Sequence, residues 1–173
     1  MNKFFFIDLE TTGLDEQTCS IIEVAAIVTD SKLNILEEYT TPVLCPPDAL
    51  NSMDEWCKIT HSQSGLLHDQ QVVGRHLAEV EMELQKIKRR HFPVSRPEIA
   101  GSSVHFDKKF IDKHMPNLSK ELSHRIVDGS SFMVALSKYH GIKIESRSES
   151  AHRALPDIKD SIFYLKQYLE RFS

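Results

Sequence analysis

The chain begins with an apolar run, Phe4-Phe5-Phe6-Ile7, that passes straight into Asp8-Leu9-Glu10 and then Thr11-Thr12-Gly13-Leu14. A short apolar run closed by a turn residue predicts a buried strand. Alternate side chains of a strand share a face, so Asp8 and Glu10 are expected to project together from its end. Ile21 to Asp30, β-branched and apolar, predicts a second strand. After the turn residues Asp30-Ser31-Lys32, the stretch from Asn34 to Val43 predicts a third. Connections this short make the three antiparallel neighbours. Pro46-Pro47-Asp48 ends the sheet section, with Asp48 the expected cap of a short helix. Residues 51–70 show no regular period. Val73, Leu77, Val80, Leu84 and Ile87 then recur at helical steps and predict one amphipathic helix. Its last residues, Lys88-Arg89-Arg90-His91, complement the negative end of a helix dipole.

Further on, Pro97 to Gly101 predicts a short strand with Gly101-Ser102-Ser103 as a tight exit. Phe106, Phe110, Ile111 and His114 mark one face of a helix, with Asp107 one position off that face. Arg125 to Asp128 predicts another short strand. Ser130 or Ser131 is the expected cap of the helix that carries Val134, Ala135 and Tyr139, and Gly141 closes it. Ile144 to Ser150 is polar and reads as a mobile loop. Ala154, Ile158, Ile162, Leu165, Leu169 and Phe172 form the stripe of a last helix, whose first turn must contain Pro156. Asp157 then lies near its N-terminus, with His152 on the loop before it. Without repeats, low-complexity segments or linkers, residues 1–173 are expected to form a single domain.

Composition narrows the function classes. Hydrophobic residues make up 40% and charged residues 27% of the 173, the profile of an ordinary globular protein. With 21 Lys plus Arg against 25 Asp plus Glu, the formal charge is −4, so a polyanionic substrate needs a local basic patch or metal ions. Three cysteines, Cys19, Cys45 and Cys57, lack metal-site spacing and read as reduced thiols. No apolar run approaches a membrane span. The start is too short and too soon acidic for a signal peptide, which makes the cytoplasm the expected compartment.

Two carboxylates on one strand face repel unless they share a proton or bind a cation, and hard divalent ions take oxygen ligands. The bland alternative for Asp8 and Glu10 is a strand that frays into solvent. Trp56, the chain's only Trp, is either a buried core residue or a flat surface on which a base stacks. His152 alone reads as an exposed loop residue, and Arg125 alone as a structural partner of Asp128.

Taken in order, Asp8-Leu9-Glu10, the Asp107 segment and His152 with Asp157 resemble the DEDD superfamily of 3′→5′ exonucleases, in the subgroup with a histidine general base. Met53-Asp54-Glu55-Trp56, Thr60-His61, Ser64-Gly65-Leu66 and Ala151-His152-Arg153-Ala154-Leu155 narrow the resemblance to the oligoribonuclease family, over nearly the whole chain. The resemblance implies an α/β fold of the ribonuclease H-like type, with a mixed five-stranded sheet flanked by helices. It implies two divalent metal ions, Mg²⁺ or Mn²⁺. Asp8, Glu10 and Asp157 would hold one; Asp8 would bridge to the second, and Asp107 would act mainly through water. His152 would take the proton of the attacking water. Leu14 would wedge between two bases, Trp56 would stack on one of them, and His61 would line the same pocket. Ser103, Arg125 and Ser130 would cap the 5′ phosphate, and the cap would favour dinucleotides.

The family is also implied to be a homodimer in which the residue before the cap arginine reaches the other subunit's site. That residue is usually Tyr; here it is His124. Ser102 stands where the family has Asn, and Pro156 where it has an acid. The expected activity is cleavage of short RNA to 5′-mononucleotides. A sibling exonuclease acting on short DNA or longer single strands shares the same metal core. A non-catalytic nucleic-acid-binding module would be expected to lack a ligand, and none is lacking.

Overall fold

In the computed structural model, which describes residues 2–141 and 152–171, the three apolar runs form β1 (Lys3–Thr11), β2 (Ile21–Asp30) and β3 (Ile35–Pro42). Helices α1 (Pro47–Asn51), α2 (Glu55–Gln63), α3 (Leu66–Val72) and α4 (Leu77–His91) follow. Then come β4 (Ile99–Gly101), α5 (His105–His114), α6 (Pro116–Glu121), β5 (Ile126–Asp128), α7 (Gly129–His140) and α8 (Ala154–Arg171). The strands form one sheet in the order β3-β2-β1-β4-β5. β1, β2 and β3 pair antiparallel, whereas β4 runs parallel to β1 and β5 parallel to β4. This is the expected mixed five-stranded sheet flanked by helices.

The strand period divides the core into two layers. Phe5, Ile7 and Leu9 of β1 pack with α4 and α5 through Val80, Leu84, Phe110 and Ile111. Phe6 points the other way and packs with Ala154, Ile158, Ile162 and Leu165 of α8. Asp8 and Glu10 continue the Phe6 face, so they meet the N-terminal end of α8. Pairing between β4 and β1 covers only Phe5↔Ile99 and Phe6↔Ala100. The end of β1 therefore runs past β4, and this overhang carries the acids.

Several elements differ from the sequence reading. Val73 lies outside α4 and is 61% exposed. Gly74 interrupts the run, and a Cβ there would sit 2.1 Å from the Gln70 carbonyl oxygen. Residues 51–70, read as irregular, contain α2 and most of α3. Asp54 caps α2 by accepting from Cys57 N, and Gly65 opens α3 at φ 76°. Asp48 sits in the first turn of α1 and the cap position is Pro46. Asp128, rather than Ser130 or Ser131, caps α7 by accepting from Ser130 N. The stripe of α8 passes to Tyr168, 5% exposed, while Leu169 is 45% exposed. The helix period of 3.6 drifts off a fixed 3–4 spacing over eighteen residues. The polar stretch 144–150 and Phe172 lie outside the described residues. The cations ending α4 do more than complement its dipole: Arg90 and His91 pair with Glu37 of β3, and Arg89 with Glu121 of α6. Among the described residues no helix is long and apolar enough to cross a membrane.

Candidate active site

Asp8 and Glu10 project from the overhanging end of β1, and Asp157 faces them from the first turn of α8. One carboxylate oxygen from each lies within 4.8 Å of the others. Burial, and after it the charge of Asp107, Glu10 and Asp157, raises the Asp8 carboxyl well above its ordinary value. Glu10 is pushed up to about 8, by burial first and then by Asp157 and Glu23. Three oxygen donors that resist ionising together fit a hard divalent cation, whose charge would remove the repulsion.

Asp107 enters from α5 on the other side of the sheet and is 4% exposed. Its Oδ1 accepts from Leu9 N at 2.9 Å, taking up a donor of β1 where β4 has already ended. Burial raises its carboxyl to about 7 against this hydrogen bond, which works in the other direction. The helix turns Asp107 inward beside Phe110 and Ile111, rather than one position off the buried face.

His152 precedes α8 in a left-handed conformation, φ 47°. Its ring meets the Trp56 indole edge to face, centroids 5.4 Å apart at 87°. Trp56 is 61% exposed, so it is no core residue, and Leu14 at 83% stands out on the β1–β2 loop. His61 lies beneath the site rather than on its surface, 2% exposed. Its Nε2 donates to the Thr11 carbonyl at 3.0 Å, and its Nδ1, without a hydrogen bond, faces Glu10 Oε2 at 4.0 Å. Burial lowers the pKa of this imidazole and favours its neutral form.

Ser103 and Ser130 come together at the ends of β4 and β5, with hydroxyls 3.3 Å apart and Ser103 N donating to Asp128 Oδ1 at 3.0 Å. Ser103 adopts φ 54°, unusual for a residue with a Cβ. His124 and Arg125 do not join them within the chain. Ile126 is the register partner of Ile99, so Arg125 lies three residues before Asp128, roughly 10 Å along the strand. Both side chains are exposed. Asp128 is occupied by His105, Ser103 and Ser130, so Arg125 is not its partner.

Residues 5–163 match the family model described as exonuclease. The mitochondrial oligoribonuclease of Mus musculus is 40% identical over 169 residues, 96% of this chain and 71% of that protein. The oligoribonuclease of Francisella tularensis is 34% identical over 171 residues, 98% of this chain and 96% of that protein. This chain belongs to the oligoribonuclease family of exonucleases. Among solved structures, exonuclease I of Methylocaldum szegediense superposes with a TM-score of 0.75 at 19% identity, covering 98% of this chain and 40% of that one. Exonuclease I of E. coli in complex with single-stranded DNA gives 0.74, also at 19% identity and over 98% and 40%. These two establish the fold that the oligoribonuclease-family chain shares with larger exonucleases.

Around this site lie residues that the sequence reading passed over. Glu23, 2% exposed on β2, is the register partner of Glu10. Arg153 reaches it with Nε at 2.9 Å, and reaches Asp69 Oδ2 at 3.0 Å. The signal was present: an acid inside an otherwise apolar strand must find a cation or donor when buried.

Proposed function

We propose that this protein is a metal-dependent 3′→5′ exoribonuclease, one domain over the whole chain, that cleaves short single-stranded RNA, dinucleotides above all, to 5′-mononucleotides. The observation that carries the reading is the convergence of Asp8, Glu10 and Asp157 within 4.8 Å, with His152 and an exposed Trp56 beside them. Asp8, Glu10 and Asp157 would hold one divalent ion, Mg²⁺ or Mn²⁺; Asp8, with Asp107 through water, would hold a second. When bound, two such ions neutralise charge on the reacting phosphate and activate water at neutral pH.

The chain's own groups supply the rest. His152 accepts the proton of the attacking water as the oxygen–phosphorus bond forms and the bond to the leaving 3′ oxygen breaks. Trp56 offers its exposed indole face to a base, and Leu14 enters between two bases from the β1–β2 loop. His61, neutral under Glu10, backs the carboxylate rather than touching a base. The Ser103 and Ser130 hydroxyls and the Ser103 turn cap the 5′ phosphate.

His124 and Arg125 complete that cap from the second subunit of a homodimer, which accounts for their exposure far from their own chain's serines. Helix α7 supports the dimer. None of residues 129–139 is buried, although the helix carries Phe132, Met133, Val134, Ala135 and Leu136. A helix this apolar requires a covering surface. Three free thiols favour a reducing compartment, the cytoplasm.

The deciding assay offers purified protein with Mg²⁺ a labelled diribonucleotide, an RNA seven-mer and a dideoxydinucleotide. Fastest turnover of the diribonucleotide is expected. Preference for the deoxy substrate would overturn the RNA assignment, and no cleavage of any of them the enzymatic one.

A further inference from the structure

Three consecutive residues, His152, Arg153 and Ala154, are fixed by contacts that base stacking and metal binding do not require. His152 is held at φ 47°, a conformation that costs a residue with a Cβ about 1–3 kcal/mol and persists only where the surroundings enforce it. The enforcing contacts come from its neighbours. Arg153 Nε and NH2 both reach Glu23 Oε1, at 2.9 and 2.8 Å. Its NH1 donates to the Ser64 carbonyl at 3.1 Å and to Asp69 Oδ2 at 3.0 Å. The other oxygen of Glu23 accepts from Ala154 N at 2.8 Å. One guanidinium thus fastens the segment to β2, to the residue that ends α2, and to α3. Trp56 is on α2, and its ring meets that of His152.

A carboxylate at position 23 is also costly without this arrangement. Glu23 is 2% exposed and lies across from Glu10, where like charges on paired strands repel. Arg153 offsets that charge while using all three of its nitrogens, which a lysine ammonium cannot reproduce in the same geometry.

We propose that Arg153 and Glu23 are positioning residues that set the His152 ring against Trp56, in place for proton abstraction. The proposal rests on the reading of His152 as general base. A ring displaced by about 1 Å is enough to cost roughly 10²-fold in rate. The pair therefore acts on turnover through His152, without touching substrate.

The test exploits the chain's single Trp. An imidazole packed against an indole quenches its fluorescence, so Trp56 emission in metal-free buffer reports where His152 sits. The His152→Ala variant sets the unquenched level. Arg153→Lys keeps the charge and loses the fork; Arg153→Gln loses both. For each full-length variant, emission, melting temperature, kcat and KM on a diribonucleotide with Mn²⁺ are measured. Arg153→Lys is expected to melt within a few degrees of wild type and to brighten toward the His152→Ala level. Its kcat should fall about 10–100-fold with KM changed by less than about twofold. Glu23→Gln should brighten as well. Should Arg153→Gln fail to fold, Arg153→Lys still decides. Wild-type emission in Arg153→Lys overturns the positioning, as does increased emission with unchanged kcat. Activity of His152→Ala within about tenfold of wild type overturns the general-base reading instead, and the emission comparison continues to test the placement of the ring.

Discussion

Asp8 stands among three other acids, and its replacement has two opposite effects. Asp8→Asn removes a proposed ligand shared by two ions, so turnover should drop by more than about 10². It also removes a charge whose ionisation burial and the neighbouring acids oppose, so the metal-free protein should melt higher than wild type. A calorimetric scan in EDTA and a single-turnover assay check both; a lower melting temperature with intact activity would contradict the ligand role. Trp56 makes the opposite kind of prediction. At 61% exposure it contributes little to the core, so Trp56→Ala should weaken dinucleotide binding by roughly 1–3 kcal/mol with nearly unchanged stability. Titration calorimetry with Ca²⁺ in place of Mg²⁺ measures that loss without turnover. At this scale the sequence was informative where chemistry restricts the choice, as at Asp8, Glu10 and Asp157, which do converge. It was silent on Arg153 and Glu23, because one buried pair brings together positions 130 apart that no local pattern links.

Among the elements, α7 bears on assembly. Phe132 and Val134 are 49% and 54% exposed on it. Phe132→Glu with Val134→Glu should convert the proposed dimer to monomers in sedimentation and reduce turnover, since on that proposal His124 and Arg125 would no longer reach a partner's site. A wild-type sedimentation coefficient in the double variant would reject α7 as the interface. Elements were legible in proportion to the length of their apolar pattern. β1, β2 and the first three turns of α8 announce themselves by unbroken runs or stripes. Helix α2 does not, because Glu55–Gln63 buries only Cys57, Thr60 and His61 and so lacks an apolar period. Helix α4 starts at Leu77 although Val73 keeps the spacing, because the run is broken at Gly74, where a Cβ would come within 2.1 Å of the Gln70 carbonyl oxygen. The strand expected at Arg125 to Asp128 is present as Ile126–Asp128, yet its register with β4, which sets Arg125 apart from Ser103, has no signature in the residues themselves.

For the molecule as a whole, the acids link metal binding to pH. The folded protein holds a proton on Glu10 up to about pH 8, against an ordinary value of 4.5, and holds one on Asp8 above its ordinary value too. Below the ordinary value both folded and unfolded chains are protonated, and these groups do not weaken the fold. As pH rises through that value toward about 8, the unfolded chain releases protons that the folded site retains, so stability is lost. Urea unfolding in EDTA should therefore show a decline between about pH 5 and pH 8.5 that Mn²⁺ abolishes and Glu10→Gln flattens. A metal-free stability that rises with pH over this window would rule out the shared-proton cluster.

The overhang of β1 beyond β4 has a consequence for biosynthesis. The acids at positions 8 and 10 are made early, but on the proposed reading their strand end becomes a nuclease centre only when α5 delivers Asp107 and α8 delivers Asp157, with His152 in front of it. A chain interrupted between Pro42 and His152 can still pair β1 with β2 and β3, yet it would hold neither the last proposed carboxylate ligand nor the proposed base. Premature termination or clipping of this protein is then expected to yield inert fragments, so that the cell would not be exposed to a partly assembled enzyme that cuts RNA without selection.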